Sequence, residues 1–148
     1  MRRANRTGIP FPAAIIPPPV TDVLPAEAEA LLAEESVIAH LATCTDERPH
    51  VAPVWYHYDD GTVSVLTTGR KLANIRRNPR VALSIQKDTD GRAEWMVTMQ
   101  GTATVVEDEA QKREATARIN PRYGAPESAY SENTLVRIEI GSASFTRY

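Results

Sequence analysis

From residue 37 onward, short apolar runs rich in β-branched residues alternate with tight-turn signals, and that rhythm commits the chain to β-hairpins. Asp59-Asp60-Gly61 is the strongest of these signals, because aspartate and glycine tolerate the positive φ of a two-residue turn. Thr45-Asp46-Glu47-Arg48 and Asp88-Thr89-Asp90-Gly91 have turn chemistry as well. The runs between them predict six strands, over residues 37–44, 49–58, 62–67, 81–86, 94–106 and 134–140, with 144–148 as a continuation of the last. Gly101 lies inside the fifth run, where it predicts a bulge or a close backbone approach. Hairpin-linked strands pair antiparallel, and closing the sheet into a barrel removes exposed edges. The expected architecture is mainly β with flanking helices: a six-stranded antiparallel barrel.

Helical spacing appears in three places. Leu24, Ala28, Leu31 and Leu32 predict a helix that Thr21 or Asp22 can cap, with Pro25 near its first turn and Ser36 at its end. Residues 69–78 predict a second helix with Leu72 and Ile75 inward and Arg76 and Arg77 outward, stopped by Asn78-Pro79. Residues 107–119 predict a third, polar one, followed by a loop over 121–131. Ahead of all this, Pro10, Pro12 and Pro17 to Pro19 forbid a helix or a central strand. The chain therefore divides into a proline-rich arm, residues 1–23, and one folded domain, residues 24–148. Ile15 and Ile16 are the anchors if the arm docks.

Composition narrows the function classes. With 148 residues, 42% of them hydrophobic, one domain buries a sufficient core without disulfide or metal. A net charge of -2 argues against a chain that coats nucleic acid. Cys44 is the single cysteine, which excludes a disulfide framework and a multi-cysteine metal site and fits a reduced, cytoplasmic setting. His40, His50 and His57 lack HxH or HxxxH spacing, so no metal is expected. No run is apolar enough to span a bilayer. Met1-Arg2-Arg3 precedes prolines rather than an apolar segment, so no secretory or twin-arginine leader is expected.

Three stretches carry candidate chemistry. In Thr67-Thr68-Gly69-Arg70-Lys71-Leu72-Ala73-Asn74 a strand ends in two hydroxyls, a glycine frees the backbone, two cations follow and a helix begins. Helix N-terminal amides, hydroxyls and cations together suit a phosphate monoester. A solvated basic helix cap explains the same residues. His50-Val51-Ala52-Pro53-Val54-Trp55-Tyr56 runs beside it, and its proline leaves a gap in the strand ladder where a planar heterocycle's edge can meet the backbone. Plain core packing of Trp55 and Tyr56 is the competing reading. Trp95 offers a stacking face and Gln100 an amide, again against simple packing.

The ordered set of these stretches, with Ile38-Ala39-His40-Leu41-Ala42-Thr43, Asp60-Gly61-Thr62-Val63 and Gln100-Gly101-Thr102-Ala103, resembles the pyridoxamine 5'-phosphate oxidase-like split barrels. Within that superfamily the likeness is closest to the short actinobacterial flavin- and deazaflavin-dependent oxidoreductases. It covers about residues 26–140. The resemblance implies a split β-barrel homodimer with two equivalent sites between subunits. It implies that Thr67, Thr68, Arg70 and Lys71 hold a cofactor phosphate, that Pro53, Val54 and Trp55 line the ring, and that Asn74 matches the motif's asparagine. It implies that the partner subunit supplies the strand near Trp95 and Gln100. The arginine-rich C-terminal signature of true pyridoxamine phosphate oxidases is missing from residues 137–148, so oxidation of vitamin B6 is not implied.

The resulting expectation is an oxidoreductase that uses coenzyme F-420, a deazaflavin, for hydride transfer to a small molecule. The alternatives are an FMN-dependent oxidoreductase of the same fold and a non-catalytic flavin or haem carrier. Arg76, Arg77 and Arg80 are candidates for the deazaflavin's anionic tail; Tyr56, His57 and Tyr123 are candidate proton donors. No catalytic residue, substrate, nucleic-acid partner or membrane partner is assigned.

Overall fold

A computed structural model describes residues 23–148; the proline-rich arm up to residue 22, with Ile15 and Ile16 and the expected caps Thr21 and Asp22, lies outside the described residues. Seven strands form one antiparallel sheet in the order β2-β1-β5-β6-β7-β4-β3. They are β1 (Ala39–Thr45), β2 (Arg48–Val54), β3 (His57–Asp59), β4 (Thr62–Thr67), β5 (Arg80–Thr89), β6 (Arg92–Val106) and β7 (Thr134–Arg147). Three helices flank it: α1 (Ala26–Glu34), α2 (Gly69–Arg77) and α3 (Glu109–Ile119), the last continued by a 3-10 turn, Asn120–Tyr123. The architecture is the split barrel.

One expected element is divided. The second predicted strand, 49–58, is two strands, so the sheet has seven and not six. β2 pairs with β1 and β3 pairs with β4 at opposite ends of the sheet order. Trp55 and Tyr56 carry the chain from one end of the sheet order to the other. Period-2 hydropathy runs through this crossing unbroken, because Val54, Tyr56 and Tyr58 are all buried. Pattern alone gives no sign of the break.

The interior is filled by alternate residues: Leu41 from β1, Val63 and Val65 from β4, Leu83 and Ile85 from β5, and Trp95, Val97 and Met99 from β6. In β7 the inward set is Val136, Ile138 and Ile140, then Ala143 and Phe145. The parity changes at Gly141, the unpaired residue of a bulge between the pairs Gly101↔Ile140 and Gln100↔Ser142. Gly101 itself is the expected close approach. A Cβ there would collide with the Glu139 carbonyl and the Ile138 side chain.

Two side-chain tethers hold α2 on the first hairpin. Asn74 Nδ2 donates to Thr43 Oγ1 at 3.0 Å, and Asn78 Nδ2 donates to the Cys44 carbonyl at 3.0 Å. The C-terminus of α1 is met by Arg122, which donates to the carbonyls of Leu32 and Glu35. A cation there complements the helix dipole. Among the described residues, no helix is long and apolar enough to cross a membrane.

Candidate functional site

The end of β4 and the start of α2 form the floor of a cavity of about 490 Å³. Alternation in β4 turns Val63, Val65 and Thr67 inward. Thr67 is 1% exposed, and its Oγ1 is buried with no hydrogen-bond partner. A buried hydroxyl left unpaired costs about 1–3 kcal/mol, so its position asks for a ligand atom. Thr68 follows in extended conformation at the N-cap of α2, yet its side chain makes no capping bond. Gly69 has φ +67°, a left-handed conformation that a side chain would strain. The turn thereby leaves first-turn amides of α2 without a side-chain cap. Lys71, in that first turn and half-buried, lines the cavity and makes no ion pair among the described residues.

The opposite wall is Pro53, Val54 and Trp55, where β2 ends and the chain leaves it for β3. Trp55 is held in place by aromatic contacts. Tyr123 stacks on it with ring centroids 4.9 Å apart and planes 4° from parallel, and Tyr130 meets it edge-on at 5.4 Å. Tyr123 is fixed in turn, since its hydroxyl donates to the Val37 carbonyl at 2.8 Å and accepts from the Tyr56 amide at 3.3 Å. Ile38, Leu66, Ile119, Asn120 and Asn133 complete the lining. The size and the mostly apolar walls, with a few convergent polar groups, are those of a small-molecule site.

Six of the ten expected residues meet here: Pro53, Val54, Trp55, Thr67, Thr68 and Lys71. The other four do not. Arg70 lies on the far side of α2, in a separate pocket with Asn74 and Arg77. Asn74 is a structural tether, with its amide spent on Thr43. Trp95 is 1% exposed inside the barrel, so it has no free face for stacking. Gln100 sits on the outward face of the sheet, where its Oε1 accepts from Ser142 at 3.4 Å. Of the expected tail cations, Arg76 pairs with Glu107 at 3.2 Å and Arg77 with Asp46 at 3.6 Å.

The expected proton donors are engaged elsewhere. Tyr56 donates to the Leu32 carbonyl at 3.0 Å, and burial raises its phenol far above the ordinary value despite Arg122 beside it. Burial also raises the Tyr123 phenol. His57 faces a different groove, with Glu114, Arg118 and Arg137, and burial, Arg118 and Arg122 lower its pKa. The residues that sequence reasoning missed are Asn120, Tyr130 and Asn133, and Tyr123, expected as a proton donor, instead backs Trp55. Two tyrosines and two asparagines around one polar loop were the available signal. Asn120 organises that loop, with Nδ2 donating to the carbonyls of Pro126 and Ala129.

Fold and cavity together define a small split-barrel protein whose strand-to-helix junction faces an aromatic wall across a cavity. The family described as pyridoxamine 5'-phosphate oxidase matches residues 25–147, and the chain belongs to it. Among solved structures it is similar to a FAD-binding protein from Mesorhizobium loti, at 25% identity and TM-score 0.68, over 82% of this chain and 94% of that one. A protein described as F-420 reductase gives 25% identity and TM-score 0.68, over 82% and 98% of the two chains. A conserved hypothetical protein from Mycobacterium tuberculosis gives 26% and 0.70, over 85% and 87%. No curated protein shows significant similarity to the sequence.

Proposed function

We propose that the protein is an oxidoreductase that holds a flavin-type cofactor in this cavity, with coenzyme F-420 as the first candidate and FMN as the alternative. The observation that carries the reading is the unpartnered Thr67 hydroxyl, buried beside Thr68 and Lys71 at the start of α2. Those three residues would hold the cofactor's phosphate, and Pro53, Val54 and Trp55 would flank its ring. The cofactor supplies hydride transfer; the chain binds it, orients it and excludes water. No free side-chain acid is required in the cavity, in keeping with the engaged hydroxyls of Tyr56 and Tyr123. That same feature also suits the second reading, a flavin carrier without turnover. The single free thiol, Cys44, agrees with a reducing, cytoplasmic setting.

The protein is further proposed to work as a homodimer. Val51, Ala42, Ala82, Gln100 and Ser142 form one row across β2, β1, β5, β6 and β7, mostly of small side chains on the outward face. A second copy seated there would bring Gln100 of each subunit to the seam.

Isothermal titration of the purified protein with FMN and with F-420 tests the cofactor reading. Binding of at least one is expected. Lys71→Ala should weaken it by about 1.5–3 kcal/mol, the worth of one charge-assisted hydrogen bond. Unchanged affinity in that variant would remove the phosphate assignment. Turnover of a reduced or oxidised acceptor by the loaded protein separates enzyme from carrier.

A further inference from the structure

Four large hydrophobic side chains are exposed among the described residues, and two of them, Ile38 and Tyr130, line the cavity. Exposed apolar side chains gathered at one opening mark a contact surface, whereas scattered ones do not. We propose that Tyr130 is the specificity-determining residue for a second ligand of this cavity: an uncharged, flat, conjugated molecule that lies against the Tyr130 ring and accepts from its hydroxyl through an oxygen at its edge. The proposal rests on the flavin reading and adds to it the chemical class of the molecule that meets the cofactor.

Backbone geometry is the first observation. Tyr130 holds φ +57°. The other non-glycine residues in this region, Asp46, Glu47, Asp60 and Asp90, are acidic residues of the hairpin turns. A bulky aromatic residue has no such turn chemistry, and strain of this kind persists only where the surroundings hold it. Here they hold it from both sides. Asn120 Nδ2 donates to the Pro126 carbonyl at 3.0 Å and to the Ala129 carbonyl at 3.2 Å, just before Tyr130. Lys112 Nζ, from α3, donates to the Ser131 carbonyl at 2.5 Å, just after it. The Asn133 amide donates to the Tyr130 carbonyl at 3.0 Å. The ring that these bonds present is 53% exposed, so core packing does not account for its placement.

The second observation is the arrangement of the rings. Tyr130 stands at 85° to Trp55, and the two make a corner. The flavin reading gives the Trp55 side of that corner to the cofactor and leaves the Tyr130 side open. A flat conjugated molecule stacks there with favourable aromatic geometry. A puckered molecule of the same skeleton loses that contact.

Charge and hydrogen bonding are the third. Lys71 is the one charged side chain that lines the cavity, and in the flavin reading the phosphate takes it. A charged second ligand would find no partner, and an unpaired buried charge is costly. The hydroxyls of Tyr56, Tyr58 and Tyr123 are all engaged, while that of Tyr130 makes no hydrogen bond among the described residues. A free O–H donor at an apolar mouth suits a carbonyl, ether or hydroxyl oxygen.

The test is isothermal titration of the full chain, saturated with whichever of FMN and F-420 it binds, using three probes: naphthol, its puckered counterpart decahydronaphthol, and naphthalenesulfonate. The parent should bind naphthol at least tenfold more tightly than either of the others. Tyr130→Ala should weaken naphthol at least tenfold, leave it within twofold of decahydronaphthol, and weaken the cofactor by no more than threefold. Tyr130→Phe should keep the preference for the flat probe and lose about fivefold for naphthol, the share of one hydrogen bond. A parent without the preference, or a Tyr130→Ala variant that retains it, overturns the proposal and leaves the flavin reading standing. Equal losses of cofactor and naphthol in Tyr130→Ala also overturn it, because the ring then belongs to the cofactor's own site. If the parent binds neither FMN nor F-420, the flavin reading fails and this proposal falls with it. Should Tyr130→Ala fail to melt cooperatively, Tyr130→Gly, which a left-handed backbone favours, replaces it under the same criteria.

Discussion

At the scale of single residues, Thr67 links stability to the proposed cofactor binding. Thr67 carries a hydroxyl where a valine would fill the same space without a polar atom to satisfy. Thr67→Val is therefore expected to raise the stability of the ligand-free protein by about 1–2 kcal/mol in urea melts, since an unsatisfied buried polar group is removed. The same variant should weaken flavin binding by roughly tenfold in calorimetry. A variant that is both less stable and unimpaired in binding would show that the hydroxyl is satisfied by some other means. His57 supplies a pH dependence. Its pKa is lowered in the folded chain by burial, then by Arg118 and Arg122, so the unfolded chain takes up the proton first as pH falls. The stability it contributes is present above about 6.5 and is lost as pH drops through the lowered folded value. Thermal melts between neutral and mildly acidic pH should show this loss in the parent chain and a flatter profile in His57→Asn.

At the scale of elements, α2 is the piece on which both pockets depend, and its seat is Asn74. Replacing Asn74 by alanine leaves Thr43 Oγ1 buried and unpaired, a cost of about 1–2 kcal/mol that a denaturant titration can read. Much of this element was legible in the sequence. The Thr-Thr-Gly-Arg-Lys run announced the strand end, the freed backbone and the helix start, and Asn78-Pro79 announced its stop. What the run did not reveal is that adjacent cations diverge: a helix turns about 100° per residue, so Arg70 and Lys71 serve different sides. β2 and β3 were read as one strand for a similar reason, since burial alternates through Trp55 and Tyr56 even where pairing changes partner. Trp95 was read as a candidate ring contact. Its alternation phase with Val97 and Met99, all inward, was the signal that it belongs to the core. The loop after α3 was read as a loop with Tyr123 as a candidate proton donor, and its place at the cavity was not legible, because aromatic side chains in irregular segments carry no period to follow.

At the scale of the whole molecule, the barrel is a scaffold whose outer face is as informative as its interior. In the row from Val51 to Ser142 every side chain but that of Gln100 is short. Ala82→Arg, in the middle of that row, should leave melting behaviour nearly unchanged while shifting the mass measured by light scattering from dimer to monomer. A parent chain that elutes as a monomer at all concentrations would remove the homodimer. The split between β2 and β3 also bears on the cavity: Trp55, which lines it, lies where the chain changes pairing partner.

The two tryptophans are placed so differently that they give the protein a built-in pair of optical reporters. Trp55 lies against Tyr123 at the rim of the cavity, and Trp95 is sealed in the barrel. An occupant of the cavity should quench the emission of the first and spare the second. The sealed indole, its Nε1 without a hydrogen-bond partner, should emit toward the blue and shift red only when the barrel opens. Binding and unfolding can then be followed in one cuvette, with no label attached.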